Sequence, residues 1–325
     1  MQEIFRAEAA RIAEKIRAVR EETDVCFALL SDTRLCDRAA DTAENIAAVD
    51  ALTGFDCVIH LGDILTGNNP KNASGSMLAQ ELALFRGATA GKQLFITGGE
   101  ADGYRNERFM GQMVHGIFTN GWWHSHTAFM DGYRGVSRPG DKPYYFADIP
   151  EKKTRMVFLY AYTVQLDETL GLWERTPVMD VEQIGWLWNQ ALAVPAGWTV
   201  LLFSHCLPKS RFETGKDPFF YKGNSTEQVL SLVQKAQRRG VAVGGWFAGH
   251  YHCDGQLTLE GIPFVVTDGV YPRPALALCE DVQINSSRGR GTRELDLWDA
   301  VVVKPQARKI HLLRFGAGSD RVIEY

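Results

Sequence analysis

Four side chains of metal-binding type stand directly after strand-like segments of the chain. Each lies one or two residues beyond a short apolar run: Asp32, Asp63, His205 and His250. In open α/β sheets, ligands bind in the crevice beyond the carboxyl ends of the strands, so we expect these side chains to converge. Carboxylate and imidazole together suit Zn, Mn or Fe. A single strand-end aspartate is often only a helix cap, but four such residues favour a site built for a metal.

Strand-length apolar runs alternate with helix-periodic stretches, and this order predicts the scaffold that positions the site. The first half contains strand, helix, strand, helix and strand over residues 25–30, 39–52, 57–61, 77–87 and 94–97. The order resumes over residues 155–161, 181–193, 200–203, 226–239 and 246–248, and β-like runs follow at 263–267, 300–303 and 310–315. Strands that are apolar on both faces indicate sheets covered by helices.

Two segments lie outside this alternation. Residues 103–152 are rich in Gly, Tyr, Trp and His, and we predict an irregular insertion that forms a functional rim. Residues 1–21 are predicted to form a helix, because one apolar stripe recurs at helical spacing: Phe5, Ala9, Ile12, Ile16 and Val19. We expect this helix to pack on a single domain that spans residues 22–325 and ends in C-terminal strands.

The composition excludes several classes of protein. Of the 325 residues, 45% are hydrophobic and 23% charged, which excludes disordered, collagen-like and coiled-coil chains. A net charge of −4 argues against a protein that coats nucleic acid. No apolar run is long enough to span a membrane. The six cysteines form no CxxC pair, and without a recognisable signal peptide we expect reduced thiols and a cytoplasmic location.

The ordered series of strand-end segments resembles a known family. The segments are SDTRL (31–35), HLGDIL (60–65), TGGEAD (97–102), FSH (203–205) and GHYH (249–252). They resemble the signature of the calcineurin-like metallophosphoesterases, which reads D-x-H, G-D, G-N-H-[DE], a lone H and then G-H-x-H. The resemblance covers residues 22–275. It implies a four-layered α-β-β-α sandwich of the α/β class, with a two-metal centre that hydrolyses phosphomonoesters or phosphodiesters by a metal-bound hydroxide.

Five positions of this sequence match metal ligands of the family. The first metal would keep Asp32, Asp63 and His252, and the second would keep Asp63, His205 and His250. Each set therefore retains three of the four protein ligands that the resemblance implies. The implied cofactor is a divalent transition metal (Mn, Zn or Fe), with one or two ions or none.

Three positions depart from the signature. Arg34 stands where the family has a histidine, Gly99 falls on the asparagine ligand, and Glu100 falls on the catalytic histidine. In that alignment Glu100 could compensate for the missing asparagine as a ligand or through a water. It could also act as a proton donor, if burial or a neighbouring charge raised its pKa.

Arg34 bears most strongly on the number of metals. A guanidinium cannot be deprotonated in a protein, so it cannot replace an imidazole as a ligand. At a separation of ~4 Å and an effective dielectric constant of about 20, its repulsion of a dication costs on the order of several kcal/mol. Arg34 could instead pair with Asp32 and Asp63, or hold a phosphate bidentately. We therefore expect at most one metal, at the second site.

Two hypotheses about function remain open. The protein is either a divergent phosphoesterase acting on a small-molecule or other phosphorylated substrate, or a pseudo-phosphoesterase that binds a phosphorylated ligand or partner without hydrolysis. Arg34 and Glu100 are the candidate catalytic residues in the first case. Tyr104, Arg105 and Asn106 could contact a substrate phosphate or pack as a loop, and residues 122–126 could bring a histidine near the crevice or form an aromatic rim.

Overall fold

The computed structural model describes residues 3–36, 38–67, 71–89, 91–103, 107–109, 112–114, 118–167, 172–176, 179–207, 224–272, 288–289 and 291–325. The helices within these residues are α1 (Glu3–Val19), α2 (Ala39–Thr53), α3 (Lys71–Ala88), α4 (Asn120–Thr127), α5 (Val181–Trp186) and α6 (Asn224–Arg238). All of these helices are too short or too polar to span a lipid bilayer.

The strands form two large sheets and two separate hairpins. In chain order they are β1 (Val25–Leu30), β2 (Cys57–His60), β3 (Gln93–Ile96), β4 (Glu107–Phe109), β5 (Gln112–Val114), β6 (Val136–Ser137), β7 (Tyr145–Ile149), β8 (Thr154–Phe158), β9 (Thr163–Asp167), β10 (Leu172–Thr176), β11 (Thr199–Phe203), β12 (Ala242–Ala248), β13 (Gly255–Leu259), β14 (Ile262–Val266), β15 (Leu297–Lys304), β16 (Lys309–Gly316) and β17 (Arg321–Glu324). The first sheet has the order β17-β16-β15-β1-β2-β3, and the second β13-β14-β12-β11-β8-β7-β6. The hairpins are β4-β5 and β9-β10.

The two sheets pack face to face, and helices cover their outer faces. Between the sheets, the ring of Phe27 on β1 meets Phe203 and Phe247 edge-on, with centroids 5.9 and 6.3 Å away. The buried apolar side chains form two clusters. The first contains the rings between the sheets and side chains from α1, α2 and α3, and the second contains side chains from the second sheet, α5 and α6. This arrangement confirms the four-layered α-β-β-α sandwich expected from the sequence.

The predicted N-terminal helix is present as α1 and is attached to the C-terminal strands. Its apolar stripe is buried at Phe5, Ile12 and Ile16. Glu8, which is only 4% exposed, accepts a hydrogen bond from the backbone N–H of Gly316 at 3.0 Å. These contacts favour a single domain that includes the helix. The division of the chain into domains stays a prediction.

The prediction of an irregular insertion over residues 103–152 is wrong for much of that range. Residues 118–149 contain α4 and the strands β6 and β7, which extend the second sheet beyond β8. Thr119 caps α4 by accepting a hydrogen bond from Trp122 N–H at 3.2 Å. Each element has only two to eight residues, so the apolar periodicity that marks longer elements is missing.

Candidate metal centre

The candidate site lies where the carboxyl ends of parallel strands from both sheets meet. Asp32 stands two residues beyond β1, and His205 and His250 stand two residues beyond β11 and β12. The two sheets touch here, because the backbone N–H of His250 donates to Asp32 Oδ2 at 3.0 Å. Gly249 makes this approach possible, since a Cβ at that position would lie 1.8 Å from Ser31 Oγ. The predicted convergence of strand ends is therefore present.

Asp32, Asp63 and His205 form a compact buried group. One oxygen or nitrogen from each lies within 4.8 Å of the others, a spacing at which one cation could contact all three. All three side chains have no solvent exposure. Gly62 allows His205 to approach, because a Cβ there would lie 3.0 Å from His205 Nδ1 and 2.7 Å from Gly99 N.

His205 is oriented as a metal ligand requires. Its Nδ1 lies 2.8 Å from the carbonyl oxygen of Leu61 and must donate to it, which directs Nε2 towards Asp63 Oδ2 at 3.4 Å. A backbone carbonyl that fixes the other ring nitrogen is a common support for a ligating histidine. Burial lowers the pKa of His205, but Asp63 and Asp32 outweigh it and raise this pKa to about 10. Binding of an ion at Nε2 would therefore release a proton.

The remaining histidines of the signature flank this group. His252 Nε2 lies 3.5 Å from Asp32 Oδ1, and His250 Nδ1 lies 3.4 Å from Glu100 Oε2. Burial lowers the pKa of His252 to about 4 despite the charge of Asp32, so its imidazole is neutral at pH 7. Among the described residues, neither ring nitrogen of His252 has a hydrogen-bond partner. Buried polar atoms are normally paired, so imidazole nitrogens without hydrogen-bond partners can serve as metal ligands, and the donor set suits a divalent metal.

The guanidinium of Arg34 lies among the carboxylates of the site. Its Nη2 donates to Asp63 Oδ2, and it lies 3.5 Å from Asp32 Oδ1 and 3.9 Å from Glu100 Oε1. This is the ion-pair arrangement that the sequence left open beside phosphate binding. Burial raises the pKa of Asp63, but His205 and Arg34 outweigh it and hold this pKa well below its ordinary value. The fixed charge of Arg34 therefore neutralises part of the charge that would attract an ion.

Strained backbone is concentrated at the same residues. Nine non-glycine residues in the described part of the chain have positive φ, and they include Asp32, Arg34, Asp63, His250 and His252, with φ between 48° and 68°. A left-handed conformation costs roughly 1–2 kcal/mol for such a residue. Strain of this kind clusters at functional sites, where the surrounding structure holds side chains in unusual directions.

The structure changes how the segment 97–102 matches the family signature. A Cβ at Gly99 would lie 2.3 Å from both the backbone nitrogen and Oδ1 of Asp63. An asparagine therefore cannot stand at position 99 while Asp63 keeps its place, which contradicts the alignment of Gly99 with the asparagine ligand. A shift by one residue puts Gly99 on the glycine of G-N-H-[DE], Glu100 on the asparagine and Ala101 on the histidine. After this shift Glu100 falls on a ligand position. Its Oε2 lies 3.4 Å from Nδ1 of His250, another candidate ligand, which agrees with the shift.

Asp102 is a site residue that the sequence analysis missed. Its Oδ2 accepts the backbone N–H groups of Asp63 and Gly99 at 2.9 and 2.8 Å. Its Oδ1 accepts those of Ile64 and Leu65 at 2.7 and 2.9 Å. Asp102 thus holds the turn that carries Asp63. The signal was available, since the acidic residue of G-N-H-[DE] falls on Asp102 after the one-residue shift.

A buried chain of hydrogen bonds links the loop of Asp32 and Arg34 to the end of β2 and to α3. The N–H of Gly62 donates to His60 Nδ1 at 3.1 Å, so His60 carries its proton on Nε2 and donates to Thr33 Oγ1 at 3.1 Å. Thr33 is in turn hydrogen-bonded to Glu81 of α3. Burial lowers the pKa of His60 to about 3, which keeps this ring neutral.

Glu81 is expected to make stability depend on pH. Burial raises its pKa from 4.5 to about 7, despite the hydrogen bond with Thr33. The folded state therefore binds the proton more tightly than the unfolded chain, and this stabilisation is present below pH 4.5 and lost as the pH rises through 7. Glu81→Gln should remove this loss. Between pH 5 and pH 8, the free energy of unfolding of the variant should therefore rise by on the order of 1–3 kcal/mol relative to that of the native chain.

Urea unfolding at pH 5 and pH 8 measures this difference for Glu81→Gln and for Glu14→Gln. Glu14 is exposed on α1 and serves as the control. An unchanged pH dependence in the Glu81 variant would contradict the assignment.

The other predicted contacts are not part of this cluster. His124 Nε2 lies 2.7 Å from Asp131 Oδ2, a surface pair on the α4 side of the molecule. The ring of His126 packs against that of Trp122, with centroids 4.6 Å apart, as in the aromatic-rim alternative. Tyr104, Arg105 and Asn106 lie outside the described residues.

Comparisons with known proteins identify the fold. No protein-family model and no curated protein matches the chain. Among solved structures, a dimetal phosphatase from Danio rerio superposes with a TM-score of 0.60 at 16% identity, covering 93% of this chain and 99% of that one. A structure of PhoD superposes with a TM-score of 0.57 at 15% identity, covering 93% of this chain and 68% of that one. The chain thus has the calcineurin-like metallophosphoesterase fold, as expected.

Proposed function

We propose that the protein is a divergent phosphoesterase that uses one divalent transition-metal ion. The observation that carries the proposal is the buried group of Asp32, Asp63 and His205, with ligand atoms within 4.8 Å of one another. Glu100 and His250 stand beside this group as further donors. The fold is shared with a protein described as a dimetal phosphatase, which supports the same class of chemistry.

The bound ion would supply Lewis-acid chemistry. Such an ion polarises a phosphoryl oxygen and lowers the pKa of a water molecule. The protein contributes the orientation of the donors, through the Leu61 carbonyl behind His205 and the Asp102 carboxylate behind Asp63.

Arg34 is proposed to take over the charge of the first metal. Its Nη2 contacts Asp63, and its Nε has no hydrogen-bond partner among the described residues. A guanidinium has five donors in a planar fork, so Arg34 can hold Asp63 and still offer donors to a phosphoryl oxygen. In this role Arg34 orients the ester and neutralises its charge, and it transfers no proton.

A second candidate function is favoured by the same arginine. The ion pair between Arg34 and Asp63 stabilises the carboxylates without any metal. A protein of this kind would bind a phosphorylated ligand or partner in the cleft without hydrolysis. Metal content separates the two functions, because only the first needs a bound ion.

The test is hydrolysis of 4-nitrophenyl phosphate and bis(4-nitrophenyl) phosphate with Mn²⁺ or Zn²⁺, together with the metal content of the protein. Loss of an outer-shell partner of a metal ligand already costs roughly 10–100-fold in activity. Because His205 is itself a proposed ligand, His205→Ala should reduce turnover by at least that factor. His124→Ala, which alters only a surface pair, is the matched control. Absence of both a bound metal and turnover would refute the enzyme and favour the binding protein.

A further inference from the structure

The donors of the candidate metal centre are divided between the two sheets. Asp32 and Asp63 follow strands of the first sheet. His250 and His252 follow β12 of the second sheet. Apolar packing holds the sheets together, but the hydrophobic effect has no direction of its own. A directional contact between the sheets close to the site would therefore fix the position of one pair of donors relative to the other.

A buried cluster of four charged side chains makes such a contact. Arg314 of β16 donates to both oxygens of Asp254 at 2.8 and 2.6 Å, and to both oxygens of Asp299 at 2.8 and 3.0 Å. Arg321 of β17 donates to Asp299 Oδ2 at 2.9 Å and to the carbonyl oxygen of Val266 at 2.6 Å. The four charged side chains form the inter-sheet cluster, since three of them stand on the first sheet and Asp254 directly precedes β13 of the second.

Asp254 connects the inter-sheet cluster to the histidines. It stands two residues after His252, and its Oδ1 also accepts the backbone N–H of Asp268 at 3.1 Å. The segment after Asp268 packs between donors from both sheets, because a Cβ at Gly269 would lie 2.6 Å from Cβ of Asp32 and 3.2 Å from Nδ1 of His252. A shift of Asp254 would therefore move both the histidine segment and the backbone that packs against Asp32.

Stability alone does not account for the inter-sheet cluster. All four side chains are at most 8% exposed, so their charges carry a large desolvation penalty. Replacement of a buried ion pair by apolar residues of similar size is often neutral or stabilising. A planar guanidinium, in contrast to apolar side chains, holds its carboxylate partners in fixed directions. Fixed geometry is therefore what the cluster contributes and an apolar core at the same place would lack.

We infer that Arg314 is a positioning residue of the metal centre, which acts through Asp254 to hold the segment of His250 and His252 in register with Asp32. The backbone N–H of His250 donates to Asp32 Oδ2 at 3.0 Å, so this hydrogen bond reports the register directly. The consequence for metal affinity rests on the proposed function, whereas the register between the two segments does not.

The experiment compares the native chain with a double variant that carries Arg314→Met and Asp254→Asn. The substitutions remove both members of one ion pair, and Asp299 keeps its ion pair with Arg321 at 2.9 Å. The asparagine can still accept the N–H of Asp268. We therefore expect the free energy of unfolding in urea without metal to stay close to that of the native chain.

Two further measurements isolate the positioning role. In the metal-free double variant, the amide hydrogen of His250 should exchange roughly tenfold faster or more, because a hydrogen bond to a charged acceptor contributes at least that factor to local stability. The amide hydrogens of β1 should keep their native exchange rates. The affinity for Mn²⁺, measured by competition with a fluorescent chelator, should fall by roughly tenfold, the lower end of the range for outer-shell partners of metal ligands.

The matched control is a second double variant, Arg155→Met with Asp148→Asn. Arg155 is 8% exposed and donates to both oxygens of Asp148 at 2.6 and 2.8 Å. It lies near the start of β8, which runs parallel to β11, so it stands at the end of the sheet opposite to His205. This variant should keep both the native exchange of the His250 amide and the native affinity for Mn²⁺.

Arg314→Lys keeps the charge but lacks the planar fork, so it should give intermediate exchange and intermediate affinity. This variant decides the outcome if the double variant does not fold. Native exchange of the His250 amide, or native affinity for Mn²⁺, would overturn the inference and leave the proposed function intact. A native chain that binds no ion would overturn the proposed function, and the exchange of the His250 amide would then decide the inference by itself.

Discussion

Replacing Arg34 by glutamine is expected to strengthen the binding of a divalent transition-metal ion by roughly 10²-fold or more, or about 3 kcal/mol. The guanidinium lies 3.5 Å from Asp32 Oδ1 and contacts Asp63, so it shares the carboxylates that an ion needs. Removal of the charge lifts the repulsion and leaves both carboxylates available.

Three substitutions separate the effects of charge and ligation at this position. Arg34→Lys keeps the charge and should bind metal as weakly as the native chain. Arg34→Gln removes the charge, and Arg34→His also adds a ligand and should bind metal most tightly. All three keep a side chain at a position with φ of 48°, so the backbone strain is matched. Titration against a fluorescent chelator gives the affinities, and equal affinity in all four proteins would contradict the charge argument.

Stability without metal should move in the opposite direction. Arg34→Gln removes one of the two cationic neighbours of the buried Asp63 and leaves it with His205 alone. Breaking a buried pair costs about 3–5 kcal/mol when no other cation remains, so we expect a loss of up to that size. Added Mn²⁺ or Zn²⁺ should restore the stability, because a ligand that binds only the folded state stabilises it. Thermal unfolding with and without metal tests this expectation, and a variant as stable as the native chain in the absence of metal would count against it.

Gly99→Ala is expected to disrupt the site more than a methyl group usually does. The new Cβ would lie 2.3 Å from the backbone nitrogen and from Oδ1 of Asp63, closer than real Cβ contacts occur. Overpacking typically costs about 1–3 kcal/mol, and here relief requires movement of the buried turn that Asp102 holds. We therefore expect destabilisation at or above the upper end of that range, with loss of metal binding.

Gly87→Ala is the matched control for this substitution. Gly87 lies on α3 without positive φ, and an added methyl group there would have no atom within 4 Å, so alanine should be neutral or stabilising by up to about 1 kcal/mol. Urea unfolding and metal content measured on both variants distinguish a specific collapse of the site from a general effect of added bulk. A Gly99→Ala protein with native stability and native metal binding would refute the close packing between positions 63 and 99.

These expectations describe one centre in which arginine and metal compete for the same carboxylates. The native chain has Arg34 paired with Asp63, while His205 is fixed by Leu61 in the orientation of a ligand. The same residues can therefore serve a single-ion phosphoesterase or a binding protein. Occupancy by the ion decides between them.

The sequence was a good guide to elements with long apolar runs and a poor one to short elements. The strand β1 was predicted with its observed bounds, and α2 within one residue. By contrast, β12 begins at Ala242, four residues before the predicted start, because Gly244 and Gly245 interrupt the apolar run. The edge strands β13 and β17 were not predicted, since they alternate exposed and buried residues over only a few positions.

What the sequence by itself determined is the set of strand-end residues that can reach the site. Asp32, His205 and His250 stand two residues beyond their strands, and parallel strands in packed sheets bring such positions to one edge. What only the tertiary structure decided is which neighbours those residues have. The exclusion of a side chain at Gly99, the four hydrogen bonds of Asp102 and the contact of Arg34 with Asp63 depend on ångström-scale distances between segments far apart in the chain. Spacing along a sequence carries no such distances, because packing between loops sets them.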